Sequence, residues 1–296
     1  METSRTPSRK FARRVERLLG RGEPVDWRPA SGGYTAAERW VARFRDGGSA
    51  FLKAGTTPNT ARWLRNERRI YSGINAPYLA RVLGWDDDGV CPLLALEDLS
   101  GAHWPPPWES HHVEGVVSAL EDVRATPPPA GLSAVPEDDF RGWERIAEEP
   151  ARFARAGLAP REWLENALPF LVEASKSARL DGHELVHEDV RSDNLCFSGE
   201  RVLLLDWDGA YVGNADLSLA LWLPSLHAEG GPPPHEIMPD ASEWAALVSG
   251  YYAALAWQRG NLPPGEEGHA AHGLMRRLAQ YALPWAVREL RLPPLS

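Results

Sequence analysis

The hydrophobic pattern changes character once along the chain. Up to residue 96, short runs of alternating apolar and polar positions are separated by turn residues, which is typical of β-strands. Strands are predicted over residues 39–45, 49–54, 78–85 and 91–96, and helices over residues 5–20 and 57–74. This part of the chain therefore predicts a small, strand-rich lobe.

Beyond residue 101, apolar positions recur mostly at helical spacing. Helices are predicted over residues 113–124, 143–153, 160–180, 244–257 and 268–291, with one compact β-like region at 184–208 between them. The pattern as a whole predicts an α+β protein with two lobes. The N-terminal lobe takes residues 1–96, the hinge 97–101, and the larger, mainly helical lobe 102–296.

Composition narrows the class of protein. The 296 residues are 43% apolar and 25% charged, which is typical of a globular chain. The net charge of −9 argues against nucleic acid as a partner. No apolar run reaches the roughly 20 residues needed to cross a membrane. Two cysteines, Cys91 and Cys196, cannot build a disulfide framework, so we expect a cytoplasmic protein in a reduced compartment.

One segment carries the chemistry most clearly. His187, Asp189 and Asn194 form an H-x-D-x-x-x-x-N pattern, and an apolar strand at 201–205 ends at Asp206. Phosphoryl transfer from ATP needs a carboxylate at the acceptor hydroxyl and oxygen ligands for Mg²⁺. Asp189 suits the first role, and Asn194 and Asp206 suit the second. Because Asn194 follows Asp189 by five residues, one loop can present both.

These motifs resemble those of the aminoglycoside phosphotransferase family, small-molecule kinases with a protein-kinase-like fold. The resemblance spans residues 32–223. It implies that Asp189 acts as the base and that Asn194 and Asp206 hold Mg²⁺. It also implies ATP as the donor, with GTP left open, and a hydroxyl of a small molecule, such as an aminoglycoside, as the acceptor.

The same resemblance covers nucleotide-binding residues in the first lobe. Lys53 is one of only three lysines, and it lies in a predicted strand where its ammonium would pair with ATP phosphates. Glu67, on the following helix, would orient that ammonium. The resemblance also implies that Gly32 and Gly33 lie in a loop over the phosphates. Glu97 and Leu99 would lie in a hinge that contacts the adenine. The chain has no Walker A sequence, which argues against a P-loop NTPase.

Three positions near the base need comment. Relatives commonly have Gly where Glu188 stands. Arg191 lies two residues after Asp189, where protein kinases often carry a Lys that neutralises the transferred phosphate. We therefore expect Arg191 to be catalytic or to be a plain loop arginine. In relatives, the residue that matches Asp216 braces the catalytic loop.

Two other functions remain open from the sequence. The first is a nucleotide-binding relative without catalytic activity, which is less favoured because every group that the chemistry needs is present. The second is a zinc hydrolase, since His183, Glu184 and His187 spell H-E-x-x-H. That motif needs a stable helix and a third ligand, and the preceding Asp181 and Gly182 are a poor helix start.

Indications of the acceptor come from charge and aromatic residues. An acidic run in the helical lobe favours a cationic acceptor such as an amino sugar; its members are Glu137, Asp138, Asp139, Glu144, Glu148 and Glu149. Candidate platforms for stacking a sugar ring are Trp143, Trp163 and Trp207. The sequence leaves open which hydroxyl is phosphorylated and whether the reaction belongs to antibiotic resistance or to metabolism.

Overall fold

The structure is a computed structural model that describes residues 6–30, 35–263 and 268–295. Gly32 and Gly33, which the sequence places in a loop over the nucleotide phosphates, lie outside the described residues. None of the described helices is both long enough and apolar enough to cross a membrane.

The described residues form two compact units. The first comprises the chain up to residue 104 together with residues 193–210, and the second comprises residues 105–192 and the chain from 211 onward. These units differ from the predicted lobes chiefly in segment 193–210, which packs with the N-terminal part of the chain.

An antiparallel sheet forms the first unit. Its strands are β1 (Asp26–Pro29), β2 (Glu38–Arg43), β3 (Ser49–Ala54), β4 (Val82–Asp86) and β5 (Leu93–Glu97). The strand order is β1-β2-β3-β5-β4, and the predicted β2–β3 hairpin is confirmed. The strand predicted over 78–85 is shorter, and β1 escaped prediction because a strand of four residues shows almost no alternation.

Two helices complete the N-terminal part of this unit. Helix α1 (Arg9–Leu19) buries Phe11 and Val15 in the core formed with the sheet. Helix α2 (Pro58–Gly73) begins as predicted, because the Thr57 hydroxyl accepts from the Thr60 amide and Pro58 occupies the first turn. Glu67 lies on the buried face of α2.

A β-hairpin from the middle of the chain also belongs to the first unit. It consists of β7 (Leu195–Ser198) and β8 (Arg201–Leu204), inside the predicted β-like region. Backbone bridges join Leu204 to Leu79 and Phe197 to His103. These bridges explain why residues 193–210 pack with the first unit although the helical segments surround them in sequence.

The second unit is mainly helical. Its helices are α3 (Ser110–Ala125), α4 (Glu137–Phe140), α5 (Gly142–Glu148), α6 (Pro150–Ala154), α7 (Arg161–Ser177), α8 (Asp216–Ala228), α9 (Pro234–Ile237), α10 (Ser242–Gly260) and α11 (His272–Glu289). Strands β6 (Glu184–His187) and β9 (Ala210–Gly213) form a small sheet.

Two helical predictions need correction. The helix predicted over 143–153 is divided into α5 and α6, because Pro150 has no amide hydrogen to continue α5 and instead starts α6. Helix α8 was not predicted, since its residues are apolar on nearly every side and so lack helical periodicity.

Helix α10 is the centre of the second unit and packs against α5, α7, α8 and α11. Where α5 meets α10, Gly142 and Gly250 face each other, and a β-carbon on Gly142 would lie 1.9 Å from the Gly250 carbonyl oxygen. Trp143 then fills the space beside them, and its indole N–H donates to the Ala246 carbonyl at 2.9 Å. This close crossing requires glycine.

Replacing Gly142 with Ala should therefore destabilise the protein. Overpacking at such a contact costs about 1–3 kcal/mol, so we expect a fall in the melting temperature of several degrees. The matched control is Gly101→Ala, because no atom lies within 4 Å of the added β-carbon there. Thermal denaturation followed by circular dichroism measures both variants, and equal melting temperatures would contradict the close crossing.

Candidate active site

The side chain of Lys53 lies at the centre of the polar groups of the first unit. Strand β3 carries it into the protein, where only 7% of the residue is exposed. Its ammonium donates to Glu67 Oε2 at 2.7 Å and also to Asp206 Oδ1. Burial lowers the pKa of Lys53, but the two carboxylates outweigh burial and hold the pKa above its usual value. Lys53 is therefore a fixed cation between two carboxylates.

Asp206 has an unusual backbone. It follows β8 with φ 63° and ψ 54°, the left-handed region that, apart from glycine, chiefly asparagine and aspartate occupy. The next residue, Trp207, is fully buried and donates its indole N–H to the Leu204 carbonyl at 2.8 Å. Such a conformation persists only where surrounding packing enforces it, and it is frequent at functional sites.

Asn194 and Asp206 flank the same end of the β7–β8 hairpin. Leu195 pairs with Leu204 in the ladder, and the Leu205 amide donates to the Asn194 carbonyl at 2.8 Å. Asn194 is 7% exposed. Amide and carboxylate oxygens are ligands that Mg²⁺ accepts. The donor set that the sequence predicts is thus brought together within one unit, and its chemistry fits a divalent cation.

The two predicted hinge residues, Glu97 and Leu99, form hydrogen bonds through different groups. The Glu97 carboxylate accepts from the Arg81 amide at 2.8 Å and from the Arg201 guanidinium at 3.2 Å, so this side chain has a structural role. The Leu99 carbonyl accepts from the Trp104 indole at 3.0 Å. Among the described residues no oxygen accepts from the Leu99 amide, which leaves that donor available to a ligand.

The predicted base belongs to the second unit. Asp189 lies in the turn after β6, and the buried Arg191 donates to its carboxylate. The Asp189 amide donates to His187 Nδ1 at 3.1 Å, and the His187 amide donates to the Ser218 hydroxyl at 2.9 Å. These contacts fix the turn while leaving the Asp189 side chain 40% exposed. Arg191 therefore orients the carboxylate.

Asp216 makes different contacts from those that the family resemblance implies. Its carboxylate accepts from the Arg124 guanidinium, and its amide donates to the Asn214 side chain at 3.0 Å. The side-chain contact from α8 to the His187 backbone comes instead from Ser218, two residues later.

The zinc hydrolase interpretation fails on secondary structure. Glu184 and His187 lie in strand β6 rather than on a helix, so the spacing cannot place both histidines on one helical face. The Glu184 carboxylate accepts from the Ala215 amide at 2.8 Å and is not directed at a metal. In the described part of the chain, no group of three His, Cys, Asp or Glu residues is placed to hold a metal ion.

The three tryptophan candidates are not stacking platforms. Trp143, Trp163 and Trp207 are all buried, and each indole N–H donates to a backbone carbonyl. They fill the core, where burial of their large apolar rings contributes more to the stability of the fold than exposure at the surface would.

The acidic run is partly neutralised. Glu137 forms an ion pair with Arg141 at 3.3 Å, and Glu149 forms one with Arg152 at 3.1 Å. Asp139 is exposed and acts electrostatically on Glu188. Two of the six carboxylates are thus paired with arginines, and Asp139 is the member that acts on a residue of the turn after β6.

Two carboxylates close to the turn after β6 were missed by the sequence reasoning. Glu188 Oε1 accepts from the Tyr251 hydroxyl at 2.7 Å. Glu229, at the end of α8, accepts from the Ser192 hydroxyl at 2.6 Å and from the Trp108 indole at 2.9 Å. The only available signal was that Glu188 replaces the glycine common in relatives. Nothing in the sequence pairs Glu229 with partners 37 and 121 residues away.

Replacing Lys53 with Met should destabilise the first unit, because Glu67 is 2% exposed and would lose its counter-charge. Removing one partner of a buried ion pair costs about 3 kcal/mol or more. Lys176→Met, an exposed lysine on α7, is the matched control and should change stability little. Urea denaturation compares the two, and equal midpoints would show that the Lys53 pair does not stabilise the fold.

Comparison of the sequence with protein-family models finds no match, and comparison with curated proteins finds none either. Similarity is found among solved structures. A macrolide 2′-phosphotransferase from Brachybacterium faecium, solved as the apoenzyme, is 18% identical, with 93% of this chain and 96% of that chain covered and a TM-score of 0.53.

Two further structures extend the comparison. An amicoumacin kinase in complex with AMP-PNP, Ca²⁺ and Ami is 12% identical, with 93% of each chain covered and a TM-score of 0.55. An aminoglycoside-3′-phosphotransferase of type VIII is 18% identical, with 92% of this chain and 98% of that chain covered and a TM-score of 0.50. The chain therefore has the fold of small-molecule phosphotransferases and kinases, as its motifs predicted.

Proposed function

We propose that the protein is an ATP- and Mg²⁺-dependent phosphotransferase that moves the γ-phosphate to a hydroxyl of a small molecule. The observation that carries this proposal is the buried Lys53 ammonium, bonded to Glu67 and Asp206 beside Asn194, in a chain with the fold of such enzymes. A purely structural ion pair would not need an oxygen-donor set and a left-handed Asp206 next to it.

The first unit supplies the groups for the nucleotide. Lys53 would neutralise phosphate oxygens, with Glu67 holding its ammonium in place. The free Leu99 amide would donate to the adenine ring, as the hinge prediction requires. Asn194 and Asp206 would hold the divalent cation, which supplies charge neutralisation at the phosphates when bound. AMP-PNP and Ca²⁺ in the amicoumacin kinase complex agree with a nucleotide and a divalent metal in this fold.

The second unit supplies the group for the acceptor. The acceptor hydroxyl oxygen forms a bond to the γ-phosphorus, the bond to the bridging oxygen breaks, and ADP leaves. Asp189 orients the hydroxyl and takes its proton. Arg191 keeps the carboxylate in one orientation, so its role is positioning rather than contact with the transferred phosphate.

The acceptor cannot be taken from the structural neighbours, because macrolide and aminoglycoside enzymes share the fold. The net charge of −9 supports a cationic acceptor over an anionic one, which the molecule would repel. We propose a cytoplasmic setting, in which ATP is available and the thiols of Cys91 and Cys196 remain unpaired.

Replacing Asp206 with Asn should remove the dependence of nucleotide binding on Mg²⁺. Asparagine tolerates the left-handed backbone but brings no charge to the cation. The matched control is Asp240→Asn, because Asp240 also has a left-handed backbone, with φ 53°, and is exposed. Thermal shift with ATP, with and without Mg²⁺, measures binding. ATP should stabilise the wild type and Asp240→Asn only when Mg²⁺ is present. If no Mg²⁺-nucleotide stabilised the wild type, the proposed function would be contradicted.

Replacing Asp189 with Asn should separate binding from turnover. The variant should bind Mg²⁺-ATP normally while its turnover with an acceptor falls by about 10²-fold or more, because the carboxylate that takes the proton is lost. Asp181→Asn, an exposed position in the same unit, is the control. A coupled assay of ADP release with a panel of hydroxylated acceptors measures turnover. Nucleotide binding without turnover by the wild type would favour the non-catalytic relative.

A further inference from the structure

The turn after β6 is tied to the end of helix α8 by one hydrogen bond. Ser192 follows Asp189 by three residues, and its hydroxyl donates to Glu229 Oε1 at 2.6 Å. Hydroxyl groups bonded to an ionised carboxylate give distances of about 2.5–2.7 Å, and such bonds are roughly twice as strong as bonds between neutral groups. The contact between Ser192 and Glu229 therefore belongs to the strong class of hydrogen bonds.

The Glu229 side chain is itself held in place. Its other carboxylate oxygen accepts from the Trp108 indole N–H at 2.9 Å. The Trp108 ring packs edge to face on the fully buried ring of Trp222, with the centroids 5.6 Å apart. Among the described residues, no Lys, Arg or His nitrogen forms an ion pair with Glu229. Its two oxygens thus accept from neutral donors, and the side chain is an anchor rather than half of a surface ion pair.

This anchor lies next to the residue that orients Asp189. Arg191 directly precedes Ser192, and its guanidinium donates to the Asp189 carboxylate. Because the backbone at residue 191 decides where the guanidinium reaches, a shift of Ser192 would move the partner of Asp189. On the other side of Asp189, the His187 amide donates to the Ser218 hydroxyl of α8 at 2.9 Å. Helix α8 and its last residues therefore fix the chain both before and after Asp189.

We propose that Glu229 is a positioning residue for phosphoryl transfer and that it acts through the Ser192 hydroxyl. This inference rests on the proposed function, in which Asp189 takes the proton of the acceptor hydroxyl. The hydrogen bond keeps the turn in one conformation, so that the Asp189 carboxylate is aligned before the acceptor arrives. A misplacement of about 1 Å can lower turnover by about 10²-fold. Glu229 therefore acts on the rate of transfer and not on the binding of nucleotide.

Hydrogen exchange tests the anchor without any turnover. Ser192→Ala removes the donor and adds no bulk. The amides of residues 188–193 should exchange about tenfold or more faster in this variant, because opening the turn no longer breaks a bond to a charged group. Ser133→Ala, an exposed position in the same unit, is the matched control and should exchange as the wild type does. Unchanged exchange of residues 188–193 in Ser192→Ala would overturn the proposal.

Turnover tests the consequence for catalysis. ADP release is measured with the panel of hydroxylated acceptors and with water alone as the acceptor. In Ser192→Ala, kcat should fall by about tenfold or more while the KM for ATP stays unchanged. Ser192→Thr keeps a hydroxyl and should restore most of the rate. A wild-type kcat in Ser192→Ala, or a loss confined to the KM for ATP, would contradict a positioning role.

The carboxylate is tested in the same assay. Glu229→Gln keeps an acceptor for the Ser192 hydroxyl but removes the charge, so kcat should fall less, by about threefold. Glu236→Gln, an exposed position on α9, is the matched control and should leave kcat unchanged.

A double variant separates positioning from general destabilisation. If Glu229 acts through Ser192, adding Glu229→Gln to Ser192→Ala should lower kcat no further than Ser192→Ala alone. Two independent effects would instead multiply. Multiplied losses would show that Glu229 acts by another route, and the proposal would then be wrong.

The two proposals fail in different ways. Turnover by the wild type, with unchanged kcat in Ser192→Ala and Glu229→Gln, would remove the role of Glu229 and leave the phosphotransferase standing. Faster exchange in Ser192→Ala, with no acceptor and no water used by the wild type, would remove both and leave Glu229 as a structural contact.

Discussion

The ammonium of Lys53 joins three pieces of chain that are distant in sequence. Strand β3 carries it, α2 brings Glu67 to it, and the β7–β8 hairpin brings Asp206 153 residues later. Because Glu67 is almost fully buried, its charge is tolerable only with a cation beside it. The sheet, the helix and the hairpin are thus held at fixed positions within the first unit by one charged group.

Much of this arrangement could be predicted because its signals are local. A rare lysine in a strand, an acidic residue on the next helix, and the spacing from Asp189 to Asn194 can each be found in a few residues of sequence. The burial of Trp143 and Trp207 could not be predicted in this way, since it depends on the close α5–α10 crossing and on packing in the first unit. Helix α8 was missed for a related reason: full burial removes the periodicity by which a helix is found.

The turn after β6 holds two neighbouring carboxylates, Glu188 and Asp189, in different ways. Asp189 is paired with a buried arginine and stays partly exposed. Glu188 has only hydroxyl donors and aromatic neighbours. Sequence spacing could identify the first residue because the motif repeats a known pattern. The environment of the second comes from α4, β9 and α10, so only the tertiary structure reveals it.

The Glu229 carboxylate joins two parts of the chain, near the beginning and at the end of segment 105–192. Trp108, which donates to one of its oxygens, lies just after Pro105, where the chain first enters the second unit. Ser192, which donates to the other, is the last residue before the chain leaves that unit for segment 193–210. One side chain therefore holds both ends of this segment through hydrogen bonds. Within the second unit the two connections cannot shift independently, and a displacement of either one must be shared by the other or break a hydrogen bond.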